Sequence, residues 1–180
     1  MDVYRVDVSD ILDDLGASVE ASDDLSLDPI EVGAERFVPT EAPHFDVTVT
    51  NTGTALVAMG TIIAPVTATC ARCLCEFPTV IEADVEGFYI RRGDEESVPE
   101  EQEVEYVGDD EMVDLMPALH AALVLEAPFA PVHDEECKGL CPDCGADLNE
   151  GPCGCERQNE PHGPFAALRD LDLGKDENTD

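Results

Sequence analysis

Leu56-Val57-Ala58-Met59-Gly60-Thr61-Ile62-Ile63-Ala64-Pro65-Val66 is followed, after three residues, by Cys70-Ala71-Arg72-Cys73 and then by an apolar series through Val80, Ile81, Val85, Phe88 and Tyr89. This stretch decides the fold. β-Branched and aromatic side chains dominate on both sides of the cysteine pair, which is the composition of strands. The pair therefore belongs near the tip of a long hairpin. Pro65 lacks an amide donor, so it either interrupts the ladder or sits at an edge. Upstream, Phe45, Val47 and Val49 alternate with Asp46, Thr48 and Thr50, and Asn51-Thr52-Gly53 supplies a turn into the long strand.

Working outward, Val3 to Val8 reads as a short strand, and Ser9 or Asp10 as the cap of a brief helix carrying Ile11, Leu12 and Leu15. Gly16 to Asp28 reads as loop. Eleven acids and no base lie between Asp94 and Asp114; the first half reads as a solvated loop and Val104 to Val107 as a short strand. Asp114 is placed to cap a helix on which Leu115, Leu119, Ala122 and Leu123 share one face, with Pro117 in the first turn and Pro128 beyond the end. Pro164 to Leu168 reads as a short closing helix. The expected fold is α+β: an antiparallel sheet with a long hairpin carrying the Cys-x-x-Cys tip, one packed helix, and a zinc-stapled C-terminal segment. Four stretches follow. Residues 1–40 form an acidic region with a short strand and helix, and 41–132 an α+β core. Residues 133–171 form a zinc-knuckle segment with its closing helix, and 172–180 a disordered tail.

Forty-two acids face nine Lys and Arg, for a formal charge of −33. A protein that grips nucleic acid through phosphates needs a basic footprint, which this composition lacks. Direct RNA binding is accordingly disfavoured, and the acidity suits either a solvated surface or a face for a basic partner. Met1-Asp2-Val3-Tyr4 opens no basic, apolar leader. The apolar run from Ala118 to Ala127 is broken by His120 and Glu126, too short for a bilayer. The expected compartment is the cytoplasm, where thiols stay reduced.

Eight cysteines in a reducing compartment read as metal ligands before disulfides. Cys141-Pro142-Asp143-Cys144-Gly145 has the spacing of a zinc knuckle, with Gly145 free to take a positive φ. Cys153-Gly154-Cys155 offers a second pair, and the four thiols Cys141, Cys144, Cys153 and Cys155 make one candidate Zn2+ site that closes locally. Cys70, Cys73 and Cys137 make a second, with His133 or Cys75 as the fourth ligand. A crossover that joins Cys70 and Cys73 to Cys141 and Cys144 stays open. Cys75 is also the best candidate for a free core thiol. Arg72, Lys138 and Arg157 lie beside cysteines, where they offset thiolate charge. A redox dithiol at Cys70 and Cys73 would open a helix after a strand, and here strand pattern flanks both sides. His133-Asp134 near Cys137 reads as a surface loop pair, and neither His44 nor His120 earns a catalytic role. No phosphate-cradling glycine loop occurs.

The order of features resembles the YceD family. The resemblance runs from Cys-Ala-Arg-Cys-Leu on the hairpin through Val113-Asp114-Leu115, Leu125-Glu126-Ala127-Pro128 and Pro131-Val132-His133. It continues with Cys137-Lys138-Gly139-Leu140-Cys141-Pro142-Asp143-Cys144-Gly145-Ala146-Asp147-Leu148-Asn149, Cys153-Gly154-Cys155 and Pro164-Phe165-Ala166-Ala167-Leu168. It spans roughly residues 40 to 171. It implies a non-enzymatic role in forming or stabilising large-subunit ribosomal RNA in the bacterial cytoplasm, with Cys70 and Cys73 in the family's common core. The charge then points to a basic ribosomal protein or RNA-processing factor as partner, with no membrane and no small-molecule substrate. Two readings compete: a thiol oxidoreductase using Cys70 and Cys73, and a zinc-ribbon interaction module unrelated to ribosomes.

Overall fold

The long hairpin organises the molecule. The computed structural model describes residues 3–94 and 103–155. In it β6 (Leu56–Thr69) and β7 (Glu76–Ile90) pair antiparallel over their whole length, from Leu56 opposite Tyr89 to Thr69 opposite Glu76. The other edge of β6 is shared by two strands in succession. β5 (His44–Asn51) pairs with its first half and β4 (Glu35–Pro39) with its second. β2 (Ser18–Asp24) extends the sheet beyond β5, β3 (Ile30–Val32) beyond β4, and β8 (Glu105–Tyr106) adds a short parallel pair to β7. The result is a seven-stranded sheet, antiparallel except at β8. β1 (Arg5–Asp7) and β9 (Met112–Asp114) form a separate two-stranded ladder.

Pro65 lies within β6, opposite Val80, without breaking the β7 ladder. Its carbonyl accepts the Thr40 amide at 2.9 Å. Since the N and C=O of a strand residue point the same way, its missing donor faces the gap where β4 gives way to β5. No ladder bond is lost there.

Alternation along β5, β6 and β7 gives the sheet an inner and an outer face. Phe45, Val49, Ala58, Ile62, Val66, Ala83 and Val85 are buried on the inner face. The helix α1 (Met116–Glu126) packs there against β7, β6 and β3, burying Met116, Leu119, Ala122 and Leu123. Gly87 leaves room both for the Tyr89 ring and for the helix, since a Cβ there would stand 3.0 Å from the Tyr89 ring and 3.2 Å from the Ala118 Cβ. The helix starts one residue later than Asp114 capping would give. Asp114 ends β9, and its carboxylate accepts the amides of Met116 and Tyr4, both at 3.0 Å. It thereby ties the helix start to the N-terminal ladder.

Two local expectations are corrected. Gly16 to Asp28 is not loop, because Ser18–Asp24 is the edge strand β2. Ala21 is its one buried residue, so no apolar alternation marks it, and its structure comes from backbone pairing with β5. Residues 9–15 form turns rather than a helix: the Ile11 and Leu12 amides both return to the Val8 carbonyl and the chain then reverses. Ile11 joins the core and Leu15 is exposed. The closing helix expected at Pro164–Leu168, the tail at 172–180 and most of the acidic loop lie outside the described residues.

Candidate metal centres

The β6–β7 connection is a knuckle. The Cys70 amide donates to the Cys75 carbonyl at 2.8 Å, and the Leu74 amide donates back to the Cys70 carbonyl at 2.9 Å. Leu74 has φ 61°, which is uncommon outside glycine and costs about 1–2 kcal/mol for an L side chain. The segment at Cys141 repeats the pattern bond for bond. Cys141 donates to the Ala146 carbonyl at 2.8 Å, Gly145 donates to the Cys141 carbonyl at 2.8 Å, and Gly145 has φ 72°. Both Cys-x-x-Cys units therefore turn their paired sulfurs to one side in the same way. The first does so despite leucine at the position where the second has glycine.

Each knuckle meets a second pair of ligand atoms. The sulfurs of Cys70, Cys73 and Cys137 and a ring nitrogen of His133 form one group, and the sulfurs of Cys141, Cys144, Cys153 and Cys155 form another. Within each group all ligand atoms lie within 4.8 Å of one another. Cys141 and Cys144 are thus grouped apart from Cys70 and Cys73, and Cys75 belongs to neither group. Cys75 is exposed at the end of the turn rather than buried in the core, with its sulfur 3.2 Å from that of Cys73. The strand that follows it, β7, begins only at Glu76.

Distances in the first group fit a tetrahedral ion. With Zn–S near 2.3 Å and Zn–N near 2.0–2.1 Å, tetrahedral edges come to about 3.8 Å between sulfurs and about 3.6 Å between nitrogen and sulfur. The observed Cys70–Cys137 sulfur separation is 3.9 Å, and His133 Nδ1 stands 3.3 Å from the Cys70 sulfur and 3.4 Å from the Cys73 sulfur.

Acid–base behaviour supports the same reading. Burial raises the Cys70 thiol, but hydrogen bonds from the His133 ring and from the backbone of Cys73, His133 and Arg72 outweigh it and hold it at about 5. At Cys73 a backbone hydrogen bond from Cys75 lowers the thiol, yet burial and the neighbouring sulfurs of Cys75, Cys70 and Cys137 push it up to about 12. In the second group, backbone hydrogen bonds from Cys144 and Asp143 bring Cys141 down to about 7. The hydrogen bond with Cys144, with burial and the other sulfurs, pushes Cys155 up to about 12. One thiol ionises readily in each group and a neighbour then resists. Three or four thiolates this close need a cation among them.

The surroundings join the two centres. The Cys70–Cys73–Cys137 group is a small apolar cluster with Phe77, Val132 and Leu140 packed against it. Arg72 reaches the backbone of the loop that carries Cys137. Its guanidinium donates to the carbonyls of Glu135 and Cys137, at 2.8 and 3.0 Å, and braces the ligand loop. Its own carbonyl accepts the Leu140 amide at 3.1 Å, and the Pro131 carbonyl accepts the Ala71 amide at 2.8 Å. Gly139 is required at this seam, since a Cβ there would stand 2.9 Å from the Arg72 oxygen and its φ is 72°. Asn149 donates to the Cys137 sulfur at 3.5 Å and accepts the Lys138 amide at 2.8 Å. It holds one centre's ligand from the other centre's loop. Sequence reading gave Asn149 and Leu74 no role. Asparagine carries no ligand signal, and leucine does not advertise a positive φ. Arg157 lies outside the described residues.

The arrangement does not favour dithiol exchange. Cys70, the low-pKa thiol, is 0% exposed, and the pair sits on a hairpin turn followed by β7 rather than at a helix start.

Residues 58–172 match the family model described as large ribosomal RNA subunit accumulation protein YceD. Uncharacterized proteins of Mycobacterium tuberculosis and Mycobacterium bovis are each 32% identical over 167 residues, covering 91% of this chain and 78% of the relative. A chloroplastic protein of Arabidopsis thaliana, named large ribosomal RNA subunit accumulation protein YCED homolog 1, is 33% identical over 60 residues. That match covers 32% of this chain and 19% of the plant protein. No solved structure matches the chain. The chain, with its hairpin knuckle and both ligand groups inside the matched region, belongs to the YceD family.

Proposed function

We propose that the protein is a zinc-stapled, non-enzymatic accessory factor for accumulation of large-subunit ribosomal RNA in the cytoplasm, acting through a basic protein partner. The observation that carries the ribosomal part is the family match over residues 58–172. Donor sets of three thiolates with one imidazole, and of four thiolates, favour zinc among common biological ions. With four ligands apiece the centres leave no open position for substrate, which suits structural rather than catalytic metal. The choice of a basic protein over RNA rests on the −33 formal charge, which removes the counterion-release drive for phosphate binding.

The test is depletion of the protein in its host, with large- and small-subunit ribosomal RNA quantified together. Large-subunit RNA should fall relative to small-subunit RNA. Wild-type protein should restore it, and protein lacking the hairpin knuckle (Cys70→Ser with Cys73→Ser) should not. An unchanged ratio on depletion would overturn the reading.

A further inference from the structure

The outer face of the sheet is uncovered among the described residues, and its composition is selective. Alternation places Val57, Met59, Thr61, Ile63, Pro65 and Thr67 of β6 on it. Val38, Met59, Ile63 and Val80 are 43%, 58%, 41% and 58% exposed. The register makes these neighbours: Val80 lies opposite Pro65, Val38 opposite Thr67, and Ile63 two residues before Pro65 on the same strand. An aliphatic strip thus runs along the middle of the face. Carboxylates flank it: Glu82, Asp84 and Glu86 on β7, Asp46 on β5, and Glu20 and Asp24 on β2. His44 is already bracketed by Asp24 and Asp46, at 2.8 and 3.3 Å. Among the described residues Glu82, Asp84 and Glu86 have no cationic partner. Arg36, at the far end of β4, is the one Lys or Arg on the strands of this face.

We infer that this face docks a cationic, amphipathic protein segment, its aliphatic side chains on Met59, Ile63, Pro65 and Val80 and its Lys or Arg side chains on the flanking carboxylates. This rests on the basic-partner reading above and gives it a location. Charge complementarity selects the occupant. Residues 95–102 contribute four acids and no Lys or Arg, residues 156–180 seven acids and three Lys or Arg, and a second copy carries −33. Each of these would bring like charge onto an acidic surface. Exposed apolar strips rimmed by charge are the usual mark of a protein contact.

The test uses the full, zinc-loaded chain and a two-heptad amphipathic peptide of Leu and Lys, with amide shifts mapped by NMR. Controls carry Glu for Lys, or Ser for Leu. Shifts should concentrate on Met59–Val66 and Val80–Glu86, and binding should weaken with salt. Val80→Ser and Met59→Ser, both exposed, should each weaken binding about fivefold. Glu82→Lys with Glu86→Lys should weaken it about tenfold or more. Lys-peptide shifts scattered over other acidic surfaces, with the face variants unchanged, would overturn the face and leave the basic-partner reading standing. Equal binding of the Glu and Lys peptides would overturn the charge argument. Failure of the Lys peptide to bind anywhere would overturn both readings.

Discussion

Removing the hairpin knuckle should destabilise the protein far more than removing two thiols from a surface turn. In the Cys70→Ser, Cys73→Ser protein the first centre loses two of its four ligands, and the cross-link it makes is long. Cys70 and Cys137 stand 67 positions apart, and closing a loop of that length restricts the unfolded chain by about 4 kcal/mol on the cross-link entropy model. The second centre closes a much shorter loop, nine positions from Cys144 to Cys153, for which the same model gives about 2.5 kcal/mol. At about 3 °C per kcal/mol for a domain of this size, the melting temperature should fall by roughly 12 °C in the first case and roughly 8 °C in the second. Calorimetry of the zinc-loaded chains at fixed free zinc measures both. Hydrogen exchange localises the effect. The Ala71 and Leu140 amides, bonded to the Pro131 and Arg72 carbonyls across the seam, should lose protection in the knuckle variant while the β5–β6 ladder keeps it. A knuckle variant melting within about 2 °C of wild type, with those two amides still protected, would refute the claim that an ion holds this seam.

Cys75, exposed and outside both ligand groups, should be the one described thiol alkylated rapidly in the zinc-loaded chain. Cys75→Ser should keep its full metal content, and metal loss in that variant would show Cys75 to be a ligand. His44 is held above its ordinary value of 6.5, first by its hydrogen bond to Asp24 and, against an opposing effect of burial, by the charges of Asp46 and Asp24. Its folded-state pKa is raised, so the stabilisation is complete below the unfolded value near 6.5 and lost as pH rises through the folded value. An NMR titration should show Asp24→Asn moving the midpoint down; an unmoved midpoint contradicts the pairing. Gly60 faces inward where β5 crosses closest, and a Cβ there would lie 2.0 Å from the Asp46 carbonyl oxygen. Gly60→Ala should therefore cost about 3 kcal/mol or more in denaturant unfolding, and a loss below about 1 kcal/mol would mean the strands relax freely.

The parts of the fold legible in the sequence are those whose side chains carry the pattern. β5 alternates cleanly, the hairpin strands are long and β-branched, and α1 shows its apolar face at helical spacing. β2 was illegible because an edge strand with one buried alanine is specified by its neighbour's backbone. β3 and β4 are short, three and five residues, and turn at Gly33, so neither offers enough length for a period to register. The Cys141 knuckle declared itself through Pro142 and Gly145. The first knuckle's equivalent geometry was concealed by Leu74. No local signal links Cys70 to Cys137; their meeting is a consequence of where the hairpin tip falls relative to the chain leaving α1.

Native mass spectrometry of the intact chain, counting zinc ions in wild type, the Cys70→Ser, Cys73→Ser protein and the Cys141→Ser, Cys144→Ser protein, bears most directly on the two-centre architecture. Two closed, independent centres predict two ions in the wild type and one in each variant. A single ion in the wild type, or loss of all metal from either variant, would contradict it and favour one shared centre spanning both knuckles.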